Sequence, residues 1–436
     1  MPDRTDDPLR YEVPKMSEKK MGPALKRTLD GIDPGLRNVL LPWALSRPSR
    51  YFALGRLVRG YGKAARARAA ALGKGLVVPP FLIVSITSKC NLDCAGCYAA
   101  SSGIRSGGRK GRAIDLAVWK RIISEACGLG VYSFILAGGE PFLYPGLLDI
   151  VEEFRDRVFI IVTNGTAISQ GDMERLGKLT NVVVVVSIEG GLELTDARRG
   201  DGVHNKAMNT LKTLGTLDVI TGISVTVNRL NYAYWMDGRN LDALERLGIK
   251  LGVFIEYIPS IPGRDASCTA DLSGSLCPSA GMLREMYKAG DDGLMIPPPA
   301  RKALRIAMLE LRASRDVYII HSPGDEEYFG GCVSAGRGFA HITPSGDLTP
   351  CPVSDIATHN VATGSVREAL ASPLFSRIRE DGRLLETGDT TCALAAHPEE
   401  VERLARDVGA YHAGREAVRQ ESAGAPLKRR KGPGRR

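Results

Sequence analysis

Between Phe81 and Pro259 the chain alternates two hydrophobic patterns. Short β-branched runs predict strands over 81–87, 133–137, 158–162, 182–187, 220–227 and 251–257. Between them, apolar residues returning every three to four positions predict helices over 115–128, 171–179, 206–217 and 241–247. Strand and helix in strict alternation imply successive βαβ crossovers and a parallel sheet with helices outside. The sheet is either open and doubly wound or curled into a partial barrel. In both cases functional residues gather at the C-terminal ends of the strands.

The flanks read differently. A helix is predicted over 48–73, where Phe52, Leu54, Leu57, Val58 and Tyr61 interleave with Arg50, Arg56, Arg59 and Lys63. Residues 1–30 are polar and read as a poorly ordered lead-in. After Pro259 the pattern becomes loop-like through 260–279, and a long helix follows over 301–314. Gly331-Cys332 then opens a two-stranded hairpin whose turn is Pro344-Ser345-Gly346-Asp347 and whose second strand runs into Cys351. These shifts divide the chain into a basic helical extension (1–78), a core (79–262), linker and helices (263–325), a Cys-containing hairpin domain (326–400) and a C-terminal helix with a basic tail (401–436).

With 436 residues, 44% hydrophobic and 25% charged, the chain has the composition of a soluble protein with a large core. No apolar run approaches a membrane span, and the first residues lack the basic-then-apolar pattern of a secretory leader. Nine cysteines in that setting predict a reducing, cytoplasmic compartment and metal binding rather than disulfides. The net charge of +9 is unevenly placed, with eight basic and no acidic residues between Arg47 and Lys74 and a basic tail over 428–436. A basic amphipathic helix either meets an anionic surface or partner or packs on its own domain with its arginines reaching water. No interleaving of basic and aromatic residues forms a stacking platform for nucleic acid.

The chemistry concentrates in Cys90-Asn91-Leu92-Asp93-Cys94-Ala95-Gly96-Cys97-Tyr98, directly after the first strand. Three thiolates on one short loop can hold one face of an iron–sulfur cluster, which takes four ligands, so one iron stays open. A structural zinc site needs a fourth protein ligand, and none follows nearby. The C-x3-C-x2-C spacing with an aromatic residue after the last Cys resembles the signature of radical S-adenosylmethionine (radical SAM) enzymes. That resemblance implies a partial (β/α)6 parallel barrel and a catalytic 4Fe–4S cluster on Cys90, Cys94 and Cys97. It also implies S-adenosylmethionine on the open iron, cleaved reductively to a 5′-deoxyadenosyl radical that takes hydrogen from a substrate. The full architecture expected is α/β, with an N-terminal helical extension and a small Cys-containing β-hairpin C-terminal domain.

The same resemblance assigns the strand ends. Gly138, Gly139 and Glu140 would face the amino group of S-adenosylmethionine, with Tyr98, Thr163 and Asn164 on the same side. Ser187 and Glu189 would meet the ribose, Arg199 the methionine carboxylate, and Asn228 the adenosine. From the residues alone, Glu256 either touches substrate or pairs with an arginine. The block from Cys332 to Cys351 is similar to the SPASM or shorter twitch regions that carry an auxiliary iron–sulfur cluster, with Cys392 as a third ligand and Cys268 or Cys277 among the candidates for a fourth. A zinc-bound or metal-free hairpin is the alternative. Such enzymes modify peptides or small-molecule and cofactor precursors and draw electrons from a flavodoxin or ferredoxin. The competing functions are a non-catalytic iron–sulfur protein for electron transfer or sensing, and a membrane-surface enzyme acting on lipid through the 47–74 segment.

Overall fold

The computed structural model describes residues 42–43, 46, 48–101, 114–258, 283, 286–287, 291–387 and 390–413. Cys268, Cys277, the 260–279 loop, the 1–30 lead-in and the basic tail fall outside the described residues. The chain order is α1 (Pro48–Leu72), β1 (Phe81–Thr87), α2 (Tyr98–Ser101), α3 (Leu116–Leu129), β2 (Ser133–Gly138), α4 (Leu147–Glu153), β3 (Val158–Thr163), α5 (Gln170–Leu176), β4 (Val182–Ser187), α6 (Leu192–Arg199), α7 (Val203–Thr216), β5 (Ile220–Val227), α8 (Tyr232–Met236), α9 (Arg239–Arg246) and β6 (Leu251–Glu256). Then follow α10 (Pro298–Ser314), β7 (Tyr318–Ser322), β8 (Phe339–Ile342) and β9 (Leu348–Thr349). All six predicted strands are present. Local chemistry sets several boundaries: Ser169 and Asp172 close a capping box on α5, and Gly130 in the left-handed region ends α3.

The strands form one nine-stranded sheet in the order β7-β6-β5-β4-β3-β2-β1-β8-β9. Every pairing is parallel except the β8–β9 hairpin. The sheet is open, with β7 and β9 at its edges, as a partial barrel requires. Along β3 and β6 buried residues alternate strictly with more exposed ones, the pattern of a sheet with one face under helices. Phe134, Phe159, Phe254, Trp119 and Trp235 are fully buried there, each contributing on the order of 2–3 kcal/mol. The opposite face is more open at the β6–β7 end, where Ile255 and Ile320 remain 42% and 37% exposed.

Two features depart from the sequence reading. Strand β7 was not expected, because Tyr318-Ile319-Ile320-His321-Ser322 is short and carries a buried His; its parallel pairing with β6 supplies the context its sequence lacks. The Cys hairpin is continuous with the main sheet, since β8 pairs in parallel with β1 over Phe81–Val84.

The basic helix α1 lies across the loops that enter the strands. Arg50, Arg56 and Arg68 donate to the carbonyls of Asp218, Arg155 and Gly130, the segments preceding β5, β3 and β2. Ala53, Leu54, Leu57, Gly60 and Ala64 form its buried stripe. Arg50, Arg56 and Arg68 therefore pack this helix onto the N-terminal end of the sheet, while Phe52 stays 75% exposed. Among the described residues no helix is long and apolar enough to cross a membrane.

Candidate active site

At the opposite end of the sheet, the loop of Cys90, Cys94 and Cys97 leaves β1 with all three thiols partly exposed. Two glycines at the end of β2, Gly138 and Gly139, hold the loop's first residues. Gly138 adopts φ 118°, and a Cβ there would stand 2.5 Å from the Thr87 carbonyl oxygen. At Gly139 a Cβ would stand 2.0 Å from the Lys89 carbonyl oxygen. The amides of Gly139 and Glu140 donate to the carbonyls of Thr87 and Lys89 at 2.8 and 2.7 Å, so the Gly-Gly-Glu segment grips the root of the cysteine loop. Gly139→Ala is expected to lose most of the iron bound by this loop, measured on the purified protein. Gly128→Ala, at a helical glycine with open space around it, is expected to leave that iron unchanged.

Glu140 is fully buried, and its carboxylate organises the end of β3. It accepts from the Thr163 hydroxyl at 2.7 Å, the Asn164 amide at 2.8 Å and the Phe142 amide at 3.2 Å. Burial pushes its carboxyl up, against the lowering effect of the Asn164 and Thr163 bonds. Asn164 in turn donates to Asn91 at 2.8 Å, and Asn91 donates to Thr166 at 2.8 Å, tying the cysteine loop to this turn. Asn91 was not singled out in the sequence; its place between two of the cysteines was the available signal.

The cysteine loop is clamped from the other side by Arg198, the last-turn residue of α6. Its guanidinium donates to the carbonyls of Ala95 and Gly96, each at 3.1 Å, to Thr226 at 3.1 Å and to Glu189 at 2.5 Å. Burial alone would lower this guanidinium, and Glu189 more than reverses that. Arg199 meets the same Glu189 oxygen at 2.7 Å. The two arginines thus hold one edge of the Glu189 carboxylate, while Oε2, buried and 0% exposed, has no hydrogen-bond partner among the described residues. Burial pushes the Cys94 thiol up, and Arg199 and Arg198 pull it back.

The expected site residues therefore gather at one end of the sheet. Arg199, expected to face a carboxylate ligand, is paired with Glu189, and the neighbouring Arg198 makes the loop contacts. Asn228 is buried with its side chain bonded to the Thr226 carbonyl, the Leu230 amide and the Tyr287 hydroxyl, so it shapes the turn after β5. Ser187 is buried at the end of β4, and Tyr98, 38% exposed at the loop's exit, bonds the Gly138 backbone through its hydroxyl. Glu256 pairs with Arg301 at 2.6 Å and stands 3.2 Å from His321. Burial would raise its carboxyl; His321 and Arg301 outweigh that and hold it below the usual range.

A second group of cysteines lies beyond β7 and β9. Cys351 is buried, Cys332 and Cys392 are partly buried, and each interacts electrostatically with at least one of the others. Burial pushes all three thiols up, Cys332 to about 12. Arg301 links this region to β6 by donating to the Thr390 carbonyl at 2.9 Å, two residues before Cys392. Among the described residues, no three His, Cys, Asp or Glu side chains stand in the arrangement of an assembled metal site.

The profile of the Radical SAM superfamily matches residues 84–237, from β1 to the end of α8. Mycofactocin maturase MftC of Mycobacterium tuberculosis is 26% identical over 299 residues, covering 63% of this chain and 73% of that protein. The sporulation killing factor maturation protein SkfB of Bacillus subtilis is 28% identical over 158 residues, covering 35% and 37%. The fold is that of SuiB of Streptococcus suis bound to its precursor peptide SuiA, with a TM-score of 0.55, 18% identity, and 76% and 72% of the two chains covered. Residues 84–237 thus carry a Radical SAM superfamily domain, and the chain is similar over a longer stretch to maturases.

Proposed function

We propose that this radical SAM enzyme modifies a peptide, using a catalytic 4Fe–4S cluster with S-adenosylmethionine and a smaller auxiliary iron–sulfur cluster. The observation behind the first part is three partly exposed thiols on one clamped loop beside a buried acceptor, Glu189 Oε2, that has no hydrogen-bond partner among the described residues. Cys90, Cys94 and Cys97 would hold the cluster, and Glu189 Oε2 is placed to accept a hydrogen bond from a ligand hydroxyl or ammonium group. When bound, the cluster and S-adenosylmethionine supply a 5′-deoxyadenosyl radical for hydrogen abstraction. The chain's own contribution is rigidity: Gly138 and Gly139 seat the loop root, Arg198 fixes its far side, and Glu140 fixes the β3 turn that touches it.

The similarity to the maturases MftC and SkfB supports a peptide substrate. Cys332, Cys351 and Cys392 are the proposed auxiliary ligands, in a region spanning 326–400, and a flavodoxin or ferredoxin the proposed electron source. Because the three thiols are pushed up by burial, metal binding there has to displace their protons, which makes it pH-dependent.

Anaerobic reconstitution with iron and sulfide, followed by reduction with S-adenosylmethionine, is expected to yield 5′-deoxyadenosine. Iron per chain is expected to fall by about four in the Cys332→Ala/Cys351→Ala variant, the content of one cubane cluster, or by about two for a smaller one. Absence of 5′-deoxyadenosine from a fully loaded, reducible protein supplied with candidate peptides overturns the catalytic reading. An unchanged iron count in the double variant overturns the auxiliary one.

A further inference from the structure

His341 is buried to 1% exposure in the middle of β8, on the short seam joining the Cys hairpin to the main sheet. Its Nε2 lies 2.8 Å from the Ser85 hydroxyl on β1, and its Nδ1 lies 2.9 Å from the Thr349 hydroxyl on β9. The Thr349 hydroxyl also donates to the Cys351 carbonyl at 3.1 Å. Ser85 and Thr349 are both 0% exposed, so bulk solvent does not reach either hydroxyl.

Counting hydrogens fixes the direction of this chain. A hydroxyl carries one proton. Thr349 gives its proton to Cys351, so it must accept from His341 Nδ1. In so dry a place the imidazole is neutral, and burial holds its pKa down to about 3. Nε2 is then bare and accepts the Ser85 proton. The sequence Ser85 → His341 → Thr349 → Cys351 runs one way, from the strand leading into the Cys90 loop to the backbone of a proposed auxiliary ligand.

The backbone contacts alone leave this seam weakly specified. β8 pairs with β1 over four residues, and with β9 over two. A one-residue slip would move His341 to the face where Ala340 and Ile342 are packed against apolar neighbours, leaving an imidazole and two hydroxyls unpaired. An apolar residue at 341 would carry no such penalty.

We propose that His341, locked as its Nδ1–H tautomer, is a positioning residue that sets the register of the hairpin on β1 and thereby the place of Cys351 relative to the catalytic loop. The positioning stands on the hydrogen-bond geometry; its effect on an auxiliary cluster rests on the function proposed above.

The test uses the full reconstituted chain and the variants His341→Leu, Thr349→Val and His341→Gln. Hydrogen exchange followed by mass spectrometry reads the 339–351 segment, and electron paramagnetic resonance reads the clusters. Loss of one or two buried hydrogen bonds is expected to speed exchange in that segment about tenfold in His341→Leu and Thr349→Val. His341→Gln, which keeps one donor and one acceptor, is expected to stay near the wild type. The auxiliary spectrum should change in the first two variants and return in the third, while the catalytic signal stays constant. Unchanged exchange in both His341→Leu and Thr349→Val overturns the proposal, even with two clusters present. Accelerated exchange in a protein that carries only one cluster upholds the positioning and overturns the auxiliary-cluster reading instead. Should His341→Leu fail to fold, Thr349→Val decides alone.

Discussion

Replacing Cys90, Cys94 and Cys97 together with Ala is expected to abolish 5′-deoxyadenosine formation while leaving the fold in place. The separation between the two effects follows from where the thiols sit. All three are partly exposed and belong to a loop rather than to the packed face of the sheet, so truncating them opens no core cavity. The stability change is expected to be within about 1 kcal/mol, as for substitutions away from packed features. The loop's attachments are backbone groups that Ala leaves untouched: the Ala95 amide to the Arg198 carbonyl at 3.0 Å, and the Ala95 and Gly96 carbonyls to the Arg198 side chain. Without thiolates the cluster has no protein ligands here, and catalysis has no residual route. Thermal denaturation and mass spectrometry on the same preparation check both halves. Continued 5′-deoxyadenosine formation would move the catalytic cluster elsewhere, with the Cys332 group the first place to look.

The strands were legible because each combines β-branched residues with a boundary signal. Val182 to Val186, for example, can hardly be read otherwise, and the Gly-Gly-Pro punctuation after β2 marks its end. The cysteine loop was legible for a related reason: its chemistry is local, three thiols within eight residues. What sequence could not separate was which of two adjacent arginines faces inward. Arg198 and Arg199 differ by about 100° around α6, and only the packed loop decides that Arg198 meets the Ala95 and Gly96 carbonyls. Nor does sequence show that a buried carboxylate is already taken. The family resemblance assigns Glu140 and Asn228 to the ligand. In the fold, the three bonds to the Glu140 carboxylate and the three made by the Asn228 side chain hold turns together. Strand β7 and the β1–β8 seam escaped for another reason. Both depend on pairing between segments far apart in sequence, and a buried His in each reads as polar until its partner is known.

Arg198→Met is expected to be the most damaging single substitution at the site. Four acceptors converge on this guanidinium: two loop carbonyls, the Thr226 hydroxyl and the Glu189 carboxylate. Methionine fills much of the volume but leaves Glu189 with Arg199 alone, and its fully buried carboxylate is costly without compensation. Breaking a buried ion pair by removing one partner costs about 3–5 kcal/mol, and the remaining Arg199 bond places this case near the lower end. The loop carbonyls also lose their donors, so the cysteine segment loosens, and S-adenosylmethionine is expected to bind at least about tenfold more weakly. Arg198→Lys is expected to recover little, because one ammonium cannot reproduce a planar fork reaching four acceptors. Arg199→Met removes contacts to Glu189 alone among the bonds described for it, and is expected to be milder in both respects. Urea denaturation and equilibrium binding of S-adenosylmethionine compare the three. If Arg199→Met proves the more damaging, the inward clamp is Arg199. If neither substitution changes binding, the Glu189 edge lies apart from the ligand, and the site must be sought nearer the Gly138–Glu140 side of the loop.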